Sequence, residues 1–294
     1  MTDDHVYLSL AEEHGDDTRW AFGTGFEDPL HGVDTTLPAG VDADELAALC
    51  LALADDALVA AQRLAQWVTL APELEEEVAL ANIGLDLLGQ ARLLYARAGQ
   101  AEGHGEEGKG RDEDALAYFR DPDEFRNVLL AEVPNGDFAH CVVKLLLLSS
   151  WRLAQLQQLT GHADPVLAAV AHKGVSELTY HRDHAAQWVV RLGDGTEEST
   201  RRTRAALAEL WPYRAELYAA APETRDEVEA VLAQVLAAAH LDATELDAAE
   251  LGASGEATAQ ALTGNGRSGE HTEHLTELLA ELQGVARSDP EATW

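Results

Sequence analysis

Cysteine occurs only at Cys50 and Cys141, and no Cys-x-x-Cys pair exists. That excludes a disulfide framework and a thiolate metal knuckle, and it fits a reducing compartment such as the cytoplasm. Positive charge is scarce as well. Lysine appears only at Lys109, Lys144 and Lys173, and 20 basic residues face 53 acidic ones, for a formal net charge of −33. A field of that sign repels nucleic acid and anionic membranes, so neither is an expected partner. The most apolar run, "CVVKLLLLSSW", is broken by Lys144 and is far too short to span a bilayer. The opening "MTDDHVYLSLAEEHGDD" has no basic segment leading into an apolar one, so no signal peptide is expected. Alternating strand patterns of useful length and repeats of fixed period are also missing.

An acidic surface poor in lysine has two readings. One is adaptation to high salt, where screening over a few ångströms suppresses self-repulsion. The other is an ordinary acidic protein with a bias toward alanine and arginine.

What is present is helical periodicity. Residues 1–40, with "GTGFEDPLHG" and "TTLPAG", read as an irregular acidic leader. From Val41 onward Leu46, Leu49, Leu53, Ala57, Ala60, Leu64 and Trp67 recur at helical spacing, with Asp42 or Asp44 as the cap. Pro72 ends that helix. "ELEEEVALANIGLDLLGQARLLYARAG" opens a second, with acids in its first turn and Gly99 at its end. The glycine-rich, charged stretch at about residues 100–112 reads as an exposed loop.

After a short helical segment around "PDEFRNVLLAEV", the stretch "DFAHCVVKLLLLSSWRLAQLQQLTG" predicts a third long helix. It is apolar around nearly its whole circumference, so it must be buried on several sides. Asp164 and Pro165 start a fourth, which the glycines of "RLGDGT" stop. Further helices are predicted at "EESTRRTRAALAELWPYRAELY", "TRDEVEAVLAQVLAAAHL" and "EHTEHLTELLAELQGVAR". The expectation is an all-α single domain over residues 41–294, a four-helix bundle with additional C-terminal helices.

Several polar residues fall on the apolar stripes. Gln90 lies among Ile83, Leu87 and Leu94 on the second helix, with Asp86 at the edge. Asp137 and Lys144 share a stripe with Cys141 and Leu148 on the third, and Glu177 and His181 share one with Val170, Trp188 and Leu192 on the fourth. Buried polar groups need partners, so these six are expected to meet in the bundle centre. That is where carboxylate-bridged di-iron proteins hold their metals, with one Glu from each of two helices and Glu-x-x-His from each of the other two.

No histidine here has Glu three positions before it. The nearest approaches are Asp28 with His31 and Asp137 with His140. Asp86 is followed at three by Gly89, Glu177 is followed at three by Tyr180 with His181 one step late, and the first helix offers only Asp56 at the margin of its core face. This supply is too poor for two irons, so no metal, cofactor-binding or catalytic residue is expected in this chain. Lys144 either stands where a metal would and pairs with Glu177 or Asp86, or extends its stem to solvent. Tyr180 and Trp188 read as core aromatics, and His271 and His274 as surface or interface residues.

The blocks "DDALVAAQRLAQW", "APELEEEVALANIGLDLLGQARLLY", "FRNVLLAEVPNGDFA", "YHRDHAAQWVVRLGDGTEES", "LWPYRAELY" and "GEHTEHLTELLAELQ…ATW" resemble the C subunits of bacterial phenylacetyl-CoA 1,2-epoxidases, from about Ala54 to Trp294. The resemblance implies a ferritin-like fold that has lost the di-iron ligands and pairs with a catalytic A subunit. It implies further partners in a B subunit and an NADPH-dependent reductase subunit, with the di-iron centre carried by the A subunit. The complex would insert one oxygen atom into the ring of phenylacetyl-CoA in aerobic phenylacetate breakdown. The alternative is a stand-alone ferritin-like metalloprotein with an atypical site built from Asp86, Asp137, Glu177, His181 and His140.

Overall fold

The first long helix, α1 (Ala43–Trp67), starts at Asp42, whose side chain accepts the backbone N–H groups of Asp44 and Glu45 at 3.0 Å each. Capping of this kind satisfies donors that the first turn leaves unpaired. A short connection leads to α2 (Leu74–Glu102), which packs along α1. The structure, a computed structural model, describes residues 30–104, 110–242 and 265–292. Residues 30–42 carry turns and bends without helix, and most of the leader expected over 1–40 lies outside the described residues. So does the middle of the loop expected at 100–112: α2 runs to Glu102, and Asp112 caps α3 (Glu113–Tyr118).

One turn, α4 (Leu129–Glu132), precedes the central helix α5 (Phe138–Leu159), in which every residue from Ala139 to Leu156 is buried. Asp164 accepts from Leu167 N at 2.8 Å and Pro165 occupies the first turn of α6 (Pro165–Gly193), as Asp-Pro before an amphipathic run predicts. α6 packs along α5. Gly174 faces α5 and α2 there: a Cβ would meet the end of the Leu156 side chain, which would have to move, and lie against Gln90. The helices α7 (Glu197–Leu210), α8 (Arg214–Ala220), α9 (Arg225–Ala238) and α10 (Glu273–Ser288) complete the described structure. α7 and α9 cover the outer side of α5 and α6, while α10 packs on α1.

Two hairpins, α1–α2 and α5–α6, are thus joined by one long crossover through α3 and α4. Short loops make each hairpin antiparallel, and a single long crossover is the ferritin-like arrangement of a four-helix bundle. The expected all-α, ferritin-like bundle with additional C-terminal helices is the observed fold, and no strand occurs among the described residues.

A candidate site in the bundle centre

The centre of the bundle contains a cavity of about 20 Å³, enough for roughly one water molecule. All four long helices supply its wall: Ala60 and Leu64 from α1, Leu87 from α2, Lys144 and Arg152 from α5, Leu178 and His181 from α6. The inward i, i+3 pairs are therefore Leu87 with Gln90 and Leu178 with His181. Gln90 is fully buried behind the wall. Spacing along the sequence set these pairs one residue too early. Gly89 faces open space, since a Cβ there would meet nothing within 4 Å, and Tyr180 is 53% exposed rather than a core aromatic.

Polar residues cross the seam between α2 and α6. His181 Nε2 lies 3.0 Å from Asp86 Oδ2, with the ring fully buried and the carboxylate 38% exposed. Gln90 Nε2 donates to Glu177 Oε2 at 2.9 Å, and Lys173, one turn before Glu177, pairs with its other oxygen. Burial lowers the Lys173 pKa, with Asp86 working against that shift. Near the start of α2, Glu76 and His184 approach to 3.1 Å without hydrogen-bond alignment, so that contact is electrostatic only. Burial lowers the His184 pKa against the pull of Glu76.

The central cation is Arg152, a residue that the helical stripes did not single out. It donates from Nη2 to Gln90 Oε1 and from Nη1 to Leu53 O, each at 3.1 Å, and Nη1 stands 3.6 Å from Asp56. Burial pulls its guanidinium down to about 10, with Asp56 opposing. Asp56 is wholly buried, not marginal. It accepts Arg267 at 2.7 Å and the backbone N–H of Val128 at 2.8 Å. A continuous polar chain thus runs from Lys173 through Glu177, Gln90, Arg152 and Asp56 to Arg267.

Two further buried clusters flank it. Asp55 binds Arg120, the Tyr95 hydroxyl at 2.5 Å and Arg126 N at 2.8 Å. Glu132 accepts Asn127 Nδ2 at 3.0 Å and Thr272 N at 2.7 Å, and it lies 2.9 Å from His271 Nδ1. His271 is consequently a buried anchor of the segment before α10, not a surface residue; His274 is partly exposed.

The remaining expected residues do not converge. Asp137 is the N-cap of α5, accepting His140 N at 3.0 Å and lying 3.3 Å from Arg202 at the surface. His140 turns toward Glu209 at 3.5 Å. Lys144 is buried, so it does not reach solvent, and it does not pair with Glu177 or Asp86: its ammonium donates to Val133 O. Burial and the nearby Arg63 pull its pKa down to about 7.

Among the described residues no three His, Cys, Asp or Glu side chains group as a metal site. The residues present do not fit a di-iron centre. Leucines occupy the inward positions where the pattern places glutamates, and the nearby carboxylates of Asp56, Asp86 and Glu177 are engaged by Arg267, His181 and Lys173. The atypical site of Asp86, Asp137, Glu177, His181 and His140 is not assembled either. What the arrangement does chemically is cross-brace four helices with charge-assisted hydrogen bonds.

Residues 33–294 match the family described as phenylacetic acid catabolic protein. The chain is 40% identical over 258 residues to the C subunit of the 1,2-phenylacetyl-CoA epoxidase of Escherichia coli (strain K12), a match covering 85% of this chain and 100% of that protein.

Proposed function

The chain belongs to the phenylacetic acid catabolic protein family, and from that premise we propose that it is a non-catalytic partner subunit of a phenylacetyl-CoA 1,2-epoxidase. In this reading it supports a catalytic A subunit that carries the di-iron centre, alongside a B subunit and a reductase subunit, in the cytoplasm. The observation that carries the reading is the bundle centre. Leu87 and Leu178 replace acids at the inward positions, and Arg152 supplies positive charge where a metal would need negative ligands. No helix among the described residues is long and apolar enough to cross a membrane.

The test is co-expression with the A subunit, followed by separation and metal analysis. The isolated chain, loaded with ferrous iron, should hold well under one iron per chain, while the pair co-purifies with its iron in the A subunit. Two irons per isolated chain, lost on Glu177→Ala, would refute the non-catalytic reading. Failure to co-purify with the A subunit would refute the partnership.

A further inference from the structure

Residues 265–272 lead into α10 as a strap laid on the crossover. Two glycines let the backbones touch: a Cβ at Gly266 would collide with Asn127 O, and one at Gly269, whose φ is +81°, with Asp123 O. Between them Arg267 reaches down to Asp56 at 2.7 Å and to the carbonyls of Ala52 and Arg126. At one end of the strap Gly266 N donates to Glu216 Oε1 at 3.0 Å, and at the other Thr272 N donates to Glu132 Oε1 at 2.7 Å.

His271 closes the strap in an arrangement that a neutral imidazole does not satisfy. Nδ1 lies 2.9 Å from Glu132 Oε2 and Nε2 lies 3.0 Å from Phe125 O, with the ring 3% exposed and the carboxylate fully enclosed. A neutral ring carries one N–H and one lone pair, whereas a carbonyl and a carboxylate only accept. One ring lone pair would then face an oxygen lone pair in a buried site, an uncompensated polar contact. Glu132 also accepts Asn127 Nδ2 and Thr272 N, bonds that favour its carboxylate form, so the extra proton belongs to the ring. The pair of His181 and Asp86 differs, because only Nε2 of that ring has a partner and a neutral ring satisfies it.

We propose that residues 265–272 are a proton-held strap, closed by a doubly protonated His271 and loosened as that proton is lost with rising pH. Burial lowers the pKa of His271, but its hydrogen bonds to Glu132 and Phe125 O and the charges of Glu132 and Asp55 outweigh burial, so it stands above the ordinary 6.5. The stability it contributes is therefore complete below about 6.5 and is lost as pH rises through the raised value. The charged groups facing the ring are Glu132 from α4 and Asp55 from α1, the latter bound to Arg120 of the crossover. Arg63 of α1 and Tyr213, just before α8, act on Glu132. Glu216 of α8 meets the strap only at Gly266, and Arg267 is held by Asp56. Loosening withdraws Arg267 from Asp56, the end of the polar chain that runs through Arg152 to Gln90, so the state of the strap reaches the bundle centre.

The experiment labels the histidine ring nitrogens of the full chain and follows them by NMR across pH, with His271→Gln assigning the signal. Both nitrogens of His271 should be protonated at and below pH 6.5, and the ring should titrate above it. Hydrogen exchange of the amides in residues 265–275, corrected for the intrinsic rate, reads the strap itself. Its opening constant should rise above pH 6.5 by up to about tenfold per pH unit until the folded ring has titrated. His271→Gln should remove that rise and keep only the part that Glu216 contributes below about 7. A His271 ring that titrates at or below 6.5 in the parent chain, a result independent of any variant's folding, would overturn the proposal. So would exchange with the same pH slope in parent and variant. Neither outcome touches the partner-subunit reading, which stands on assembly and metal content.

Discussion

His181 on α6 and Asp86 on α2 meet at 3.0 Å from opposite sides of a burial boundary, the ring fully enclosed and the carboxylate over one-third exposed. Their substitutions should therefore cost unequal amounts. Asp86→Ala leaves a side chain's worth of space open to water and is expected to cost at most about 1 kcal/mol, because solvent screens the pair. His181→Ala opens a void next to an existing cavity and should cost roughly 2–4 kcal/mol. Urea unfolding of both variants checks the order; equal costs would contradict it.

The Asp56 carboxylate holds the centre together. Asp56→Asn leaves Arg152 without its nearest counter-charge and weakens the bond to Arg267, so a loss of roughly 3–5 kcal/mol is expected. Arg152→Met should recover part of that loss in the double variant, because it removes the buried charge that the first change strands. The measurement is a double-mutant cycle of unfolding free energy, and strict additivity would show that the two groups do not interact.

Helix order was legible because burial imposes period. The stripe from Leu46 to Trp67, the all-round apolarity of α5 and the Asp-Pro start of α6 each carry their own physical signature. The centre was only partly legible. Asp86, Gln90, Glu177 and His181 do lie together, but their partners depend on helix rotation. One residue of error moved the inward positions from Leu87 and Leu178 to Asp86 and Glu177. Arg152 was available to the same reasoning that singled out Lys144, a cation on an apolar helix. Asp137 misled because a carboxylate at the end of an apolar run is as well suited to capping as to a stripe. Asp55 and Asp56 find Arg120 and Arg267 through contacts that no local pattern encodes.

Lys144 and Glu177 belong to separate networks, one ending at Val133 O and the other at Lys173 and Gln90. Their coupling energy should accordingly lie within about 0.5 kcal/mol of zero. Lys144→Met combined with Glu177→Gln tests this by chemical denaturation. A coupling of several kcal/mol would restore the direct pairing that the sequence made plausible.

Glu216 gives the fold a defined pH response. Burial pushes its carboxyl up to about 7 from an ordinary 4.5, against the backbone N–H groups of Gly266 and Leu129 that it accepts at 3.0 and 2.8 Å. Between those two values the folded chain keeps a proton that the unfolded chain has released. Stability from this group is therefore complete below about 4.5 and is lost as pH rises toward about 7. Melting temperatures from pH 5 to 7.5 should fall less steeply in Glu216→Gln than in the parent, whatever the absolute cost of the substitution. Parallel slopes would assign the response to other groups.

The outer face of α2 is where assembly should be tested. Leu74, Val78, Leu85 and Leu88 lie three, four or seven residues apart, so they share one face, and they are 68%, 52%, 55% and 38% exposed. Single exposed leucines are ordinary, but a row of apolar side chains on one helix marks a contact surface. Glu73 and Glu75 border the row, so pairing with a second copy in register would bring acid against acid. A partner presenting an apolar helix edged with basic residues suits it better, and the catalytic A subunit is the proposed occupant. Val78→Glu with Leu85→Glu should leave helicity and melting temperature nearly unchanged, since both sites are exposed and within about 0.5 kcal/mol of neutral. The same variant should lose co-purification with the A subunit. Retention of the complex would place the interface elsewhere, and an isolated chain that runs as a dimer split by the same changes would assign the face to self-association.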